Sequence, residues 1–94
     1  MKVLIIEDEK ILSDTIKDVL KEDYEVEQAY DGEEGEKFAK KGKYDAIILD
    51  LMLPIYDGYT VLEKIRSSML FTPVLILTAK DSLEDKLKGF NSRS

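Results

Sequence analysis

The sequence has no cysteine, no histidine and no tryptophan, and only two prolines and five glycines among its 94 residues. Without cysteine or histidine there is no disulfide, thiol nucleophile, histidine-based triad or histidine phosphocarrier, and no zinc site built from nitrogen and sulfur ligands. Any metal must be held by oxygen. Positive charge is also short: 14 Lys and Arg stand against 20 Asp and Glu, a net charge of −6. A surface of that sign repels a phosphate backbone, so the expected partners are proteins or small ions, with no direct nucleic-acid binding. Long apolar runs are missing as well. Nothing approaches the roughly 18 residues of a membrane span, and the short run after Met1-Lys2 is too brief for a signal-peptide core. The chain reads as soluble and cytoplasmic, with one domain over residues 1–94.

What is present is a regular alternation of two patterns. Val3-Leu4-Ile5-Ile6, Ala46-Ile47-Ile48-Leu49 and Val74-Leu75-Ile76-Leu77 are continuous apolar runs rich in Val and Ile. Such runs fit parallel strands covered on both faces. Between them lie helical patterns. Ile11, Leu12, Ile16, Val19 and Leu20 recur at helical spacing, which predicts a helix over Lys10 to Lys21 with this stripe as core. Asp31 and Glu34 form a capping-box pattern opening a second helix that runs to about Lys41 and stops at Gly42. Val61, Leu62 and Ile65 mark a third helix, and Asp81, Leu83, Glu84, Leu87 and Phe90 a fourth. Tyr24, Val26 and Tyr30, with charges between, read as an edge strand. The order βαβαβαβα predicts an α/β fold, one parallel sheet with right-handed crossovers and helices on both faces.

In an open sheet of this kind the functional crevice lies at the carboxyl ends of the strands. Glu7 and Asp8 follow the first apolar run, Asp50 the third strand and Thr78 the fourth. Three carboxylates in one crevice repel one another unless a cation neutralises them, and magnesium (Mg2+), which takes oxygen ligands and keeps several waters, suits them. A single acidic residue at a strand end is ordinarily a solvated turn residue; three on neighbouring strands favour a metal site. Pro54 and Asp57-Gly58 are expected to shape the loop after the third strand and to start the next helix.

The segments Val3-Leu4-Ile5-Ile6-Glu7-Asp8-Glu9, Ile48-Leu49-Asp50-Leu51-Met52-Leu53-Pro54 with Asp57-Gly58, and Pro73-Val74-Leu75-Ile76-Leu77-Thr78-Ala79 occur in an order and spacing that resembles the receiver domains of bacterial two-component response regulators. The resemblance is to the type that precedes winged-helix DNA-binding domains. It implies a flavodoxin-like sheet of order 2-1-3-4, with Asp50 as phosphoacceptor, Asp8 as a direct magnesium ligand and Glu7 as an outer-sphere one. It further implies that Met52 lends its backbone carbonyl to the metal, that the Thr78 hydroxyl turns toward the new phosphoryl oxygen, and that a sensor histidine kinase is the phosphodonor. A carboxylate is a competent nucleophile toward phosphorus when magnesium screens both charges.

Receivers of this family continue with a fifth strand and helix, so the chain reads as a C-terminally truncated domain, with Arg93-Ser94 as a cloning scar. An apolar fourth strand left at an edge is a template for pairing, which predicts a homodimer or a strand- or helix-exchanged oligomer. The alternative function is an engineered self-assembling fragment without phosphotransfer. A haloacid-dehalogenase-type phosphatase would need a second Asp where Met52 stands, and a flavodoxin-type nucleotide site lacks its phosphate loop after the first strand.

Overall fold

The computed structural model describes residues 1–53, 57–68 and 70–77 of the chain. In order, these form β1 (Lys2–Ile6), α1 (Lys10–Leu20), β2 (Glu25–Ala29), α2 (Gly32–Lys41), β3 (Ala46–Asp50), α3 (Gly58–Ser67) and β4 (Val74–Leu77). The expected fourth helix, together with Pro54, Thr78 and Ala79, lies outside the described residues.

The apolar runs become strands because they can be covered on both sides. In β1 and β3 four of five residues are buried, alternating between two cores. Leu4, Ile6, Ile47 and Leu49 point toward α2 and α3, where Ala39, Val61 and Ile65 close on them. Val3, Ile5 and Ile48 point the other way, against Ile16 and Leu20 of α1. All strand pairs are parallel and the order is β2-β1-β3-β4, as the sequence predicts. β2 is an edge strand with only Ala29 buried; Tyr24 and Tyr30 fall just outside it.

The helix ends are set locally. The Asp31 carboxylate accepts from the Glu34 amide at 2.7 Å, and the Glu34 carboxylate accepts in turn from the Tyr30 amide at 2.8 Å, closing the predicted box one residue early. Lys40 and Lys41 occupy the last turn of α2, where cations oppose the negative end of the helix dipole. Gly42 ends the helix, its amide bonded to the Phe38 carbonyl. α3 opens at Asp57, whose side chain accepts from the Thr60 amide at 2.8 Å.

α1 departs from expectation. Ile11 is 79 % exposed and Val19 71 %, so the whole stripe is not core. The inward line runs through the buried Ser13 and the half-buried Ile16 and Leu20, a 3–4 spacing that leaves Ile11 on the far side of the helix. Ser13 is fully buried because it has a polar partner: the Gln28 amide of β2 donates to its Oγ at 2.8 Å and to the exposed Asp14 carboxylate at 2.9 Å. A hydroxyl is tolerated inside when so bonded.

These contacts rank two isoleucines oppositely. Ile65→Ala empties a fully buried position and should cost about 2–5 kcal/mol in urea denaturation. Ile11→Ala, on the exposed face, should change stability by less than about 0.5 kcal/mol. Comparable losses from both would show that α1 packs through its Ile11 face.

Candidate metal centre

Parallel pairing of β1 with β3 proceeds through Val3 opposite Ala46 to Ile6 opposite Leu49. One step further along, the two strands deliver Glu7 and Asp50 side by side. Asp50 is the last residue of β3 itself, paired with Leu77 of β4. Glu7 and Asp50 are buried and Asp8 is exposed, and one carboxylate oxygen from each lies within 4.8 Å of the others. The three carboxylates named from the sequence therefore meet.

Backbone amides orient two of them. The Glu9 amide donates to Glu7 Oε2 at 3.0 Å, and the Met52 amide donates to Asp50 Oδ1 at 3.1 Å. Glu9 is also the N-cap of α1, its carbonyl accepting from the Ser13 amide, so the loop bearing Asp8 is short and fastened at both ends. The Glu7 amide bonds the Ala29 carbonyl of β2. The Met52 side chain is 64 % exposed, and only its backbone takes part. Thr78 lies outside the described residues. Sequence reasoning missed Gln28 and Ser13, which tie α1 to the sheet beside this loop. The available signal was a serine on the inner face of an apolar helix.

Electrostatically the cluster is uncomfortable without a cation. Burial pushes the Glu7 carboxyl up to about 8, with hydrogen bonding to Asp8 and Asp50 and the charge of Asp50 adding to the rise. Asp50 is raised too, chiefly by burial and by the charge of Asp8, against the lowering effect of the Met52 amide. None of the ion pairs among the described residues involves the three. The donor set fits magnesium: the three side chains offer carboxylate oxygens close enough to share one small ion, with the exposed side at Asp8 left for water.

A parallel α/β sheet carrying an acidic, metal-competent crevice at its carboxyl edge defines a class of protein rather than one member. Comparison with known proteins narrows it. Residues 3–93 match the response regulator receiver domain family, and the chain belongs to that family. It is 49 % identical over 90 residues to the transcriptional regulatory protein CiaR of Streptococcus pneumoniae, covering 96 % of this chain and 40 % of that protein. It is 43 % identical to the transcriptional regulatory protein TrcR of Mycobacterium tuberculosis, covering 98 % of this chain and 36 % of that protein. The chain thus spans about two fifths of the length of the curated relatives it matches. Among solved structures, the Francisella response regulator 1452 receiver domain superimposes with a TM-score of 0.80 at 37 % identity, covering 97 % of this chain and 76 % of that one. The receiver domain of the sensor histidine kinase PA1611 from Pseudomonas aeruginosa, with a magnesium ion coordinated in its active site cleft, superimposes at 0.77 and 31 % identity, covering 84 % of this chain and 67 % of that one.

The raised Glu7 group has a definite sign. Below about pH 4.5 its carboxyl is protonated in both folded and unfolded chains, and between there and about pH 8 the folded chain retains a proton that the unfolded chain has released. Stability should therefore fall as pH rises through that window. Urea denaturation in metal-free buffer should show this fall, and Glu7→Gln should flatten it. A wild-type curve that rises across the whole window would refute the assignment.

Proposed function

We propose that this chain is the phosphoacceptor module of a transcriptional response regulator, with Asp50 as the acceptor and a sensor histidine kinase as the donor. The observation carrying this reading is the convergence of Glu7, Asp8 and Asp50 at the adjacent ends of β1 and β3. An Asp50 carboxylate oxygen attacks the phosphorus of a donor phosphohistidine; the new bond is P–O, the broken bond is P–N, and the leaving imidazole takes up a proton. The product is an acyl phosphate. A cation held by these carboxylates would supply charge neutralisation for both the nucleophile and the incoming phosphoryl oxygens.

The chain's own groups prepare that step. Asp8 would hold the cation directly and Glu7 through water, with the Met52 carbonyl as a further oxygen ligand. The Met52 amide on Asp50 Oδ1 occupies one carboxylate oxygen and leaves the other to react. A divalent cation beside Glu7 would favour its ionised form, so affinity for the cation should rise with pH. Thr78 is assigned the hydroxyl that meets the phosphoryl group. Chemistry is confined to the chain's own phosphorylation and dephosphorylation. The alternative of a fragment without phosphotransfer is not favoured, because the acidic triad is assembled. No helix among the described residues is long and apolar enough to cross a membrane.

Magnesium at a few times its Kd should stabilise the wild type by on the order of 1 kcal/mol. Asp8→Asn should lose that gain, and Asp50→Ala should fold but take no phosphoryl mass from acetyl phosphate. An equal magnesium shift in wild type and Asp8→Asn, or an acid-stable label on Ser or Thr, would overturn the assignment.

We also propose self-association through the α1 side of the sheet. Thr15, Ile16, Val19, Leu20, Ile48, Leu75 and Leu77 line an apolar groove of about 260 Å³, and Leu75 is 61 % exposed on β4, an edge of the sheet among the described residues. A second copy related by a two-fold axis is the occupant. Light scattering at micromolar concentration should report a dimer, which Leu75→Asp dissociates and Lys40→Glu does not. A compact wild-type monomer would refute it.

A further inference from the structure

β3 ends at Asp50, and α3 begins at Gly58. Gly58 is helical and its backbone stays out of the left-handed region, so no turn conformation requires a glycine there. What requires it is proximity. A Cβ at this position would lie 2.5 Å from the Asp50 carbonyl oxygen, 2.5 Å from Leu51 Cα and 3.1 Å from the Asp50 carbonyl carbon. All three are backbone atoms, which cannot rotate away as a side chain would.

The same few atoms are fastened on every side. The Gly58 amide donates to the Leu51 carbonyl at 2.8 Å, and the Leu51 amide donates to the Leu77 carbonyl of β4 at 3.1 Å. The next amide, that of Met52, is the one that holds Asp50 Oδ1. Leu51 is therefore pinned between β4 and the first residue of α3, and the reactive carboxylate hangs from the peptide groups on either side of it. An added methyl must displace either α3 or the stretch from Asp50 to Met52, and the second of these contains the oriented carboxylate.

We propose that Gly58 is a positioning residue for the phosphoacceptor: its bare Cα lets α3 rest directly on the Asp50-Leu51 backbone, and that contact holds the Asp50 carboxylate and the Met52 peptide where cation and phosphodonor meet them. The inference rests on the reading of Asp50 given above. It extends the role of Asp57-Gly58 from starting a helix to setting the geometry of the site.

The experiment compares Gly58→Ala with wild type, Asp50→Ala and Ile65→Ala, the last destabilised from the same helix without touching Asp50. Magnesium affinity is read by calorimetry, the labelling rate with acetyl phosphate by intact mass, and stability by urea denaturation. Gly58→Ala should remain folded with magnesium affinity and labelling rate reduced about tenfold or more, the size seen when groups supporting a metal ligand are disturbed. Ile65→Ala should keep both near wild-type values despite its lower stability. Wild-type affinity and rate in folded Gly58→Ala would overturn the proposal, as would an equal loss in Ile65→Ala. Should Gly58→Ala not fold, Asp57→Ala, which adds no atom but frees the first turn of α3 from its cap, should lower both quantities by a smaller factor; no change would again overturn it. A wild-type chain that neither binds magnesium nor accepts the phosphoryl group would instead bring down the reading of Asp50, and the inference with it.

Discussion

The parallel pairing of β1 with β3 is the constraint on which both the core and the site depend. Its register buries Leu4 and Ile6 with Ile47 and Leu49 on one face, and Val3 and Ile5 with Ile48 on the other. The same register places Glu7 beside Asp50. A slip of one residue would turn every one of these side chains to the wrong face, so the apolar burial that selects the register also forces two carboxylates together. Their repulsion and desolvation oppose folding, and the surrounding aliphatic packing outweighs them. A proton at Glu7 relieves part of that conflict; a divalent cation would relieve more.

The layers on the two sides of the sheet are unequal. α2 and α3 pack together over the Leu4, Ile6 and Leu49 face, with Val61 and Ile65 fully buried beneath them. On the other face α1 makes a narrower contact through Ser13, Ile16 and Leu20. The polar tie from Gln28 to Ser13 and Asp14 secures the end of α1 nearest the acidic loop. Among the described residues, Ile11 and Val19 lie exposed on α1 and an apolar groove runs beside Leu75.

Much of this was legible in the linear sequence, because the signals are local. An apolar run of four with an acidic residue behind it reports a buried strand and the place of its acidic end in the same few letters, and this held for Val3 to Glu7 and for Ala46 to Asp50. Asp31 with Glu34 announced the start of α2 because a cap needs only residues three apart. Which side of α1 faces inward was not legible: Ile11 is exposed and Ser13 buried because the choice belongs to the sheet below, where Gln28 donates to the Ser13 hydroxyl. The role of Gly58 was hidden for a related reason. A glycine after an aspartate signals a turn, whereas the contact that excludes a side chain here is with backbone seven and eight positions earlier.

The sequence by itself determined the element order, the parallel α/β class, the acidic residues available to a metal and the oxygen-only character of any ligand set, since these follow from composition, periodicity and residues adjacent along the chain. Only the tertiary structure decided that a carboxylate oxygen from each of Glu7, Asp8 and Asp50 comes within 4.8 Å of the others, that burial pushes the Glu7 carboxyl up to about 8, and that α3 lies against the backbone of Asp50 and Leu51. Those are distances between atoms far apart in the chain, and desolvation, charge repulsion and steric exclusion come into force only when folding has brought such atoms together.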